Sequence, residues 1–233
     1  LKFIIKAVAE RFGLYATFMP KPVFGINGSG MHVHQSLSKA GKNIFYDKKD
    51  EYGLSNIARK FIAGQLDQAR GICMVLSPTV NSYKRLVPGY EAPVYLSWAR
   101  VNRSALIRVP QISKGNEQST RIELRSPDPS CNPYLAFSLM LAAGLHGLEN
   151  DLKLSDPIEE NIYKMNDRER TSKRIKTLPD SLGNALEEFK KSDMAKDSLG
   201  EHVFSRLVES NRIEWDNYRC RVSDWEINEY LGI

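Results

Sequence analysis

The sequence predicts a mixed fold of helices and strands, with its chemistry in the first 130 residues and a helical remainder as scaffold. Three observations carry this. In "NGSGMHVHQSL" (27–37) a two-glycine turn is followed by strict alternation, Met31 and Val33 to one side, His32 and His34 to the other; a strand places side chains two apart on one face. "SALIRVP" (104–110) and "TRIELRSP" (120–127) read as two further strands, parted by the polar loop "SKGNEQS". Long apolar segments with clear stop signals supply the helices.

In chain order, residues 1–13 place Phe3, Ile4, Ala7, Val8 and Phe12 at helical spacing and close on Gly13. "YATFM" (15–19) reads as a short strand, ended by Pro20-Lys21-Pro22. A loop through Gly41 and the polar "YDKKDEYG" lead to a long helix over about 55–76, stopped at Ser77-Pro78. Residues 77–93 are rich in Pro, Gly and Asn. Pro133 opens an apolar helix that ends near Asn150, proline being well suited to a first helical turn. The charged stretch "NIYKMNDRERTSKRIKTLPD" (161–180) reads as an exposed, partly irregular excursion. Helices at about 181–191 and 200–218 and a Trp-bearing tail complete the chain.

Composition sets outer limits. The 233 residues are 42% hydrophobic and 26% charged, as in ordinary globular proteins. Net charge is +5, a mild excess that suits small anionic substrates as well as nucleic acid. Cys73, Cys131 and Cys220 are scattered and odd in number, which reads as free thiols in a reducing, cytoplasmic setting. No apolar run reaches the roughly 20 residues of a membrane span; "YLAFSLMLAAGLHGL" is too short and carries His146. The chain starts at Leu1 inside a helical pattern, so a fragment is expected.

"RIELR" alternates Arg121, Glu123 and Arg125 with Ile122 and Leu124. A solvated face is one explanation. The other is a site for anions: Arg103, Arg108, Lys84, Arg85 and Glu91 lie in neighbouring segments, and guanidinium forks bind carboxylate and phosphate. Glu123 between arginines stays ionised, as a metal ligand must. A strand histidine is commonly a hydrogen-bonded core residue, but two on one face beside a glycine turn raise the case for a ligand. The spacing is not that of a zinc protease, and no cysteine partners them. One histidine joined to glutamates would suit Mg²⁺ or Mn²⁺ beside phosphate oxygens, leaving the other for nucleotide or substrate. The glycines allow a close backbone approach to a ligand; a plain tight turn explains them equally.

Together "NGSGMHVHQSL", "NSYKRLVPGYEAP", "NRSALIRVP" and "RIELRSPDPSCNPYLA" closely resemble the catalytic domain of type I glutamine synthetase, over essentially the whole chain. The resemblance implies an α+β fold, a curved antiparallel sheet backed by helices and truncated at its N-terminal side. Residues 1–150 would form the motif-bearing core and 151–233 the helical C-terminal part of the same domain. It implies ATP-dependent ligation of ammonia to L-glutamate through γ-glutamyl phosphate, with Mg²⁺ or Mn²⁺. His32 and Glu123 would hold metal. His34, Ser36, Arg103 and Arg108 would serve ATP. Asn27, Gly28, Arg85, Arg125, Arg103 and Glu91 would serve glutamate, with Glu91 on a flap and, like Arg103, catalytic. Lys114 is a weaker candidate for the nucleotide.

Other metal carboxylates and a small β-grasp domain would lie upstream, so the chain reads as about the C-terminal half and is expected to be inactive alone. The resemblance also implies a homo-oligomeric dodecamer of two stacked hexameric rings, and regulatory protein partners, with no nucleic acid or membrane. Tyr163 aligns with a tyrosine that one subgroup adenylylates, but the basic stretch after it departs from that subgroup, which favours a plain exposed loop tyrosine. Competing assignments are a γ-glutamyl-amine ligase, whose flap region differs, a non-catalytic homologue or assembly module, and a distant nucleic-acid binder.

Overall fold

The computed structural model describes residues 1–89, 92–113 and 115–233. Helix α1 (Lys2–Arg11) buries none of its residues. Residues 14–19 do not form the expected strand: "YATFM" has the composition, but no neighbouring strand pairs with it. The turn expected at Gly28–Gly30 is not found, the turn lying earlier at Phe24–Gly25, and β1 (Val33–Gln35) begins after His32; a small hairpin joins β2 (Ser38–Lys39) to β3 (Lys42–Asn43).

Helix α2 (Asn56–Leu76) begins where expected because Ser55 caps it. The Ser55 hydroxyl oxygen accepts from the Ala58 amide at 3.2 Å and donates to the Ile44 carbonyl at 2.6 Å. Ser55→Ala is therefore expected to cost about 1 kcal/mol, and Ser55→Thr much less. A urea midpoint for the alanine variant equal to the wild-type one would count against the cap.

A single turn, α3 (Ser82–Arg85), precedes β4 (Tyr95–Ala99), β5 (Ala105–Arg108) and β6 (Ile122–Leu124). The sheet order is β1-β6-β5-β4. The β1–β6 and β5–β6 pairs are antiparallel, while β4 joins β5 in parallel at the edge. Helix α4 (Pro133–Glu149) starts at the expected proline, with Asn132 accepting from the Tyr134 amide. A short helix α5 (Asp167–Ser172) interrupts the charged excursion, and Ile162 just before it is fully buried. Helices α6 (Leu182–Lys190) and α7 (Asp193–Arg219) follow. Gly200 breaks α7 with φ 75°, so the expected start near residue 200 marks its second segment. The tail forms an exposed helix, α8 (Asp224–Tyr230), which the sequence reading left without an assignment.

The register sorts the sheet into two faces. Val33, Leu124, Ile107 and Trp98 form one cross-strand row that sits in the core. His34, Glu123 and Arg108 form the adjacent row, and alternation turns it to the opposite face. Behind the sheet, α2 and α4 cross with Gly64 against Gly147 and Gly144 against Phe61, close enough that no Cβ fits. Cys73 and Cys131 are buried and Cys220 is exposed, all as free thiols. Among the described residues, no helix is long and apolar enough to cross a membrane.

Candidate active site

The row that turns away from the core gathers charge. Glu123 is almost fully buried on the inner strand β6. Its Oε1 lies 3.0 Å from His32 Nδ1 and 3.9 Å from His34 Nε2, and its Oε2 accepts from Arg108 Nε. Burial alone would raise this carboxyl's pKa. The hydrogen bonds from His32 and Arg108, and their charges, override that and hold it at about 2. Arg121 Nε donates to His34 Nδ1 at 3.2 Å, so the imidazole proton sits on Nε2, facing Glu123. Burial depresses the pKa of His34; Glu123 opposes this, and Arg121, Arg108 and His32 add to the depression. His34 is therefore a neutral hydrogen-bonding ring.

Next to this row lies a cavity of about 170 Å³. Asn27, Gly28, Gly30 and His32 line it together with Arg85 and Arg125. Gly28 is required by the backbone it meets, while a side chain at Gly30 would displace the Arg85 and His32 side chains. A Cβ on Gly28 would stand 2.2 Å from the Pro20 carbonyl oxygen, and one on Gly30 would stand 2.7 Å from Arg85 Nη2 and 3.0 Å from His32 Nε2. Arg85 is buried, with Nη1 donating to the Ser126 carbonyl at 2.8 Å and Nη2 to the Arg125 carbonyl at 3.2 Å. Arg125 Nη1 donates to the Arg103 and Ala105 carbonyls. Burial lowers the pKa of both arginines, yet a guanidinium stays charged at neutral pH.

The expected residues thus divide. His32, Glu123, His34 and Arg108 come together in one charged row; Asn27, Gly28, Arg85 and Arg125 line the cavity beside it. Ser36 is exposed and borders, with His34, a separate hollow walled by Phe61, Phe137 and Met140. Arg103 is exposed on the turn before β5; it meets the cluster through its carbonyl, and its side chain does not line the cavity. Glu91 and Lys114 lie outside the described residues. Two further residues reach the site. Arg121 was visible in the "RIELR" alternation without a role, and Lys21, in the Pro-Lys-Pro segment, gave no signal; its backbone is pinned to Asn81 by hydrogen bonds of 2.7 and 2.9 Å.

Tyr163 corrects an expectation. It is half-buried, its hydroxyl donates to the Ala92 carbonyl at 2.8 Å, and its ring lies 5.7 Å from that of Tyr95. A tyrosine packed this way is not an exposed loop residue.

His32 and Glu123 are donors of the kind a divalent ion takes, one nitrogen and one ionised oxygen. They do not complete a site, since no group of three His, Cys, Asp or Glu that could hold a metal exists among the described residues. One guanidinium and two imidazoles around a single carboxylate, beside a cavity lined by two further arginines, form the kind of site that suits small anions.

The comparisons narrow that class. The family model for the glutamine synthetase catalytic domain matches residues 1–230. Glutamine synthetases of Clostridium saccharobutylicum and Thermotoga maritima are each 52% identical over 231 residues, 99% of this chain and 52% of the relative. That of Methanosarcina mazei is 52% identical over 232 residues, all of this chain and 51% of the relative. Two solved structures, an apo GmaS without ligand and a GmaS/ADP complex, are 35% identical with TM-scores of 0.86 and 0.87; the match covers all of this chain and 52% and 53% of theirs. The chain belongs to the glutamine synthetase catalytic-domain family. It spans about half the length of the curated relatives it matches.

Proposed function

We propose that this chain provides the substrate half of a glutamine synthetase, joining ammonia to L-glutamate at the expense of ATP through γ-glutamyl phosphate. The observation that carries the proposal is the charged row His32–Glu123–Arg108 set directly against the cavity of Asn27, Gly28, Arg85 and Arg125. Phosphoryl transfer from ATP needs positive charge around the moving group, and the attacking carboxylate needs a cationic pocket next to it.

In this reading the arginines and the backbone at Asn27 and Gly28 hold glutamate, and Arg108 and the neutral His34 face the nucleotide phosphates. Ser36 and Arg103 serve the nucleotide from the rim, Arg103 also touching substrate, while Glu91 on its flap excludes water and helps deprotonate ammonium. A Mg²⁺ or Mn²⁺ ion held in part by His32 and Glu123 would supply charge neutralisation for the phosphoryl group. The motif-bearing stretch 1–150 does the binding, and 151–233 supports it. A dodecamer of two hexameric rings, regulatory protein partners and a cytoplasmic setting complete the proposal. The three unpaired thiols support the last of these.

The test is formation of γ-glutamyl hydroxamate from glutamate, hydroxylamine and ATP with Mg²⁺ or Mn²⁺. It is run on this chain and on any longer polypeptide from the same gene. Product in either supports the ligase. Binding of ATP with no product in any form favours the non-catalytic homologue.

A further inference from the structure

We propose that Asp128 is a positioning residue that fixes the Arg85 guanidinium in the substrate cavity; this rests on the reading of Arg85 as a glutamate ligand. Asp128 is fully buried, yet only one of its carboxylate oxygens is in use. Oδ1 accepts from the Ser130 amide at 2.9 Å and from the Ser130 hydroxyl, while Oδ2 has no hydrogen-bond partner among the described residues. A turn needs only the first oxygen, and Asn would close it equally well. A buried carboxylate with a bare oxygen is costly unless its charge has a use.

The use lies two residues back in the chain. The carbonyls of Arg125 and Ser126 take the two ends of the Arg85 fork, and the next carbonyl, Pro127, accepts from the Met31 amide at 2.8 Å. The segment 125–128 therefore fastens both sides of the cavity, the arginine and the glycine-bearing segment that leads into β1. Asp128 anchors its far end, through its side chain to Ser130 and through its amide to the Leu76 carbonyl at 3.1 Å. Among the described residues no carboxylate lies within ion-pair distance of Arg85. Carbonyl dipoles alone would hold a buried cation, and the negative field of Asp128 completes the balance; it opposes the lowering of the Arg85 pKa by burial.

Asp128→Asn keeps the turn and the volume and removes the charge. In the longest active polypeptide carrying this chain, its KM for glutamate is expected to rise about tenfold while that for ATP stays within about twofold. Ser130→Ala, which frees the carboxylate without removing it, should move the same KM in the same direction by less, and stands in should the first variant not fold. An unchanged KM for glutamate in both variants overturns the proposal. A second readout needs no turnover: phenylglyoxal labelling of Arg85, followed by peptide mass spectrometry without substrate, should be faster in Asp128→Asn. Equal labelling rates also overturn it. A wild-type protein with no ligase activity in any form would instead sink the proposed function, and the labelling rates alone would then decide the role of Asp128.

Discussion

Gly64→Ala is expected to destabilise the fold by about 3 kcal/mol or more. Helix propensity points the other way, since alanine is better than glycine inside a helix by about 1 kcal/mol. The geometry decides against propensity. A Cβ on Gly64 would lie 2.2 Å from the Ala143 carbonyl oxygen and 2.5 Å from the Gly147 nitrogen, and both are backbone atoms in the facing helix. Neither can rotate away, so α2 and α4 must part. Separation would loosen Phe61, whose ring already fills the space a Cβ on Gly144 would need. Urea unfolding measures the effect, with Gly232→Ala, which meets nothing within 4 Å, as the control within about 0.5 kcal/mol. A Gly64→Ala midpoint at or above wild type would refute the close crossing.

Glu123→Gln is expected to lower the proposed ligase activity by on the order of 10³ in the longest active polypeptide carrying this chain, because it removes the one carboxylate that His32 and Arg108 share. It should also destabilise the protein near neutrality. The folded carboxyl sits at about 2, below its ordinary 4.5, so its contribution is present above pH 4.5 and is lost as the pH falls toward 2. That contribution is on the order of 3 kcal/mol. The stability gap between wild type and variant should therefore narrow as the pH drops below 4.5. A gap that stays constant from pH 7 downward would assign the loss to packing rather than charge.

Much of the helical frame was legible because its signals are local. Ser55 and Pro133 mark the starts of α2 and α4, while the helix expected from about residue 200 is the second segment of α7, whose first segment, from Asp193, was not expected. The strands were harder. "YATFM" has a strand's composition but no partner, and partners are a tertiary fact. Strand β4 escaped notice because Tyr95–Ala99 is covered along nearly its whole length and shows no alternation of apolar and polar residues. At the site, alternation put His32 with His34 and Glu123 with Arg121 and Arg125. Only pairing of β1 and β5 to β6 could bring those sets together, and residue spacing carries no register between segments some 90 positions apart. The resemblance supplied that link. It said less about side-chain direction, as Arg103 shows, and the packing of Tyr163 against Ala92 lay beyond it.

Helix α1 has a consequence for how the molecule breathes. None of its ten residues is buried, and Phe3 and Phe12 are 83% and 76% exposed. A ten-residue helix is marginal in water by itself, and α1 is held by few contacts, such as Lys2 Nζ donating to the Cys131 carbonyl at 3.1 Å and lying 5.9 Å from the centre of the Phe18 ring. Its amides should then exchange with deuterium through local fraying, at rates that ignore denaturant at low concentration, while those of α2 exchange only with global opening. Phe3 and Phe12 already stand in solvent, so fraying there bares no new apolar surface and leaves the sheet and its charged row in place.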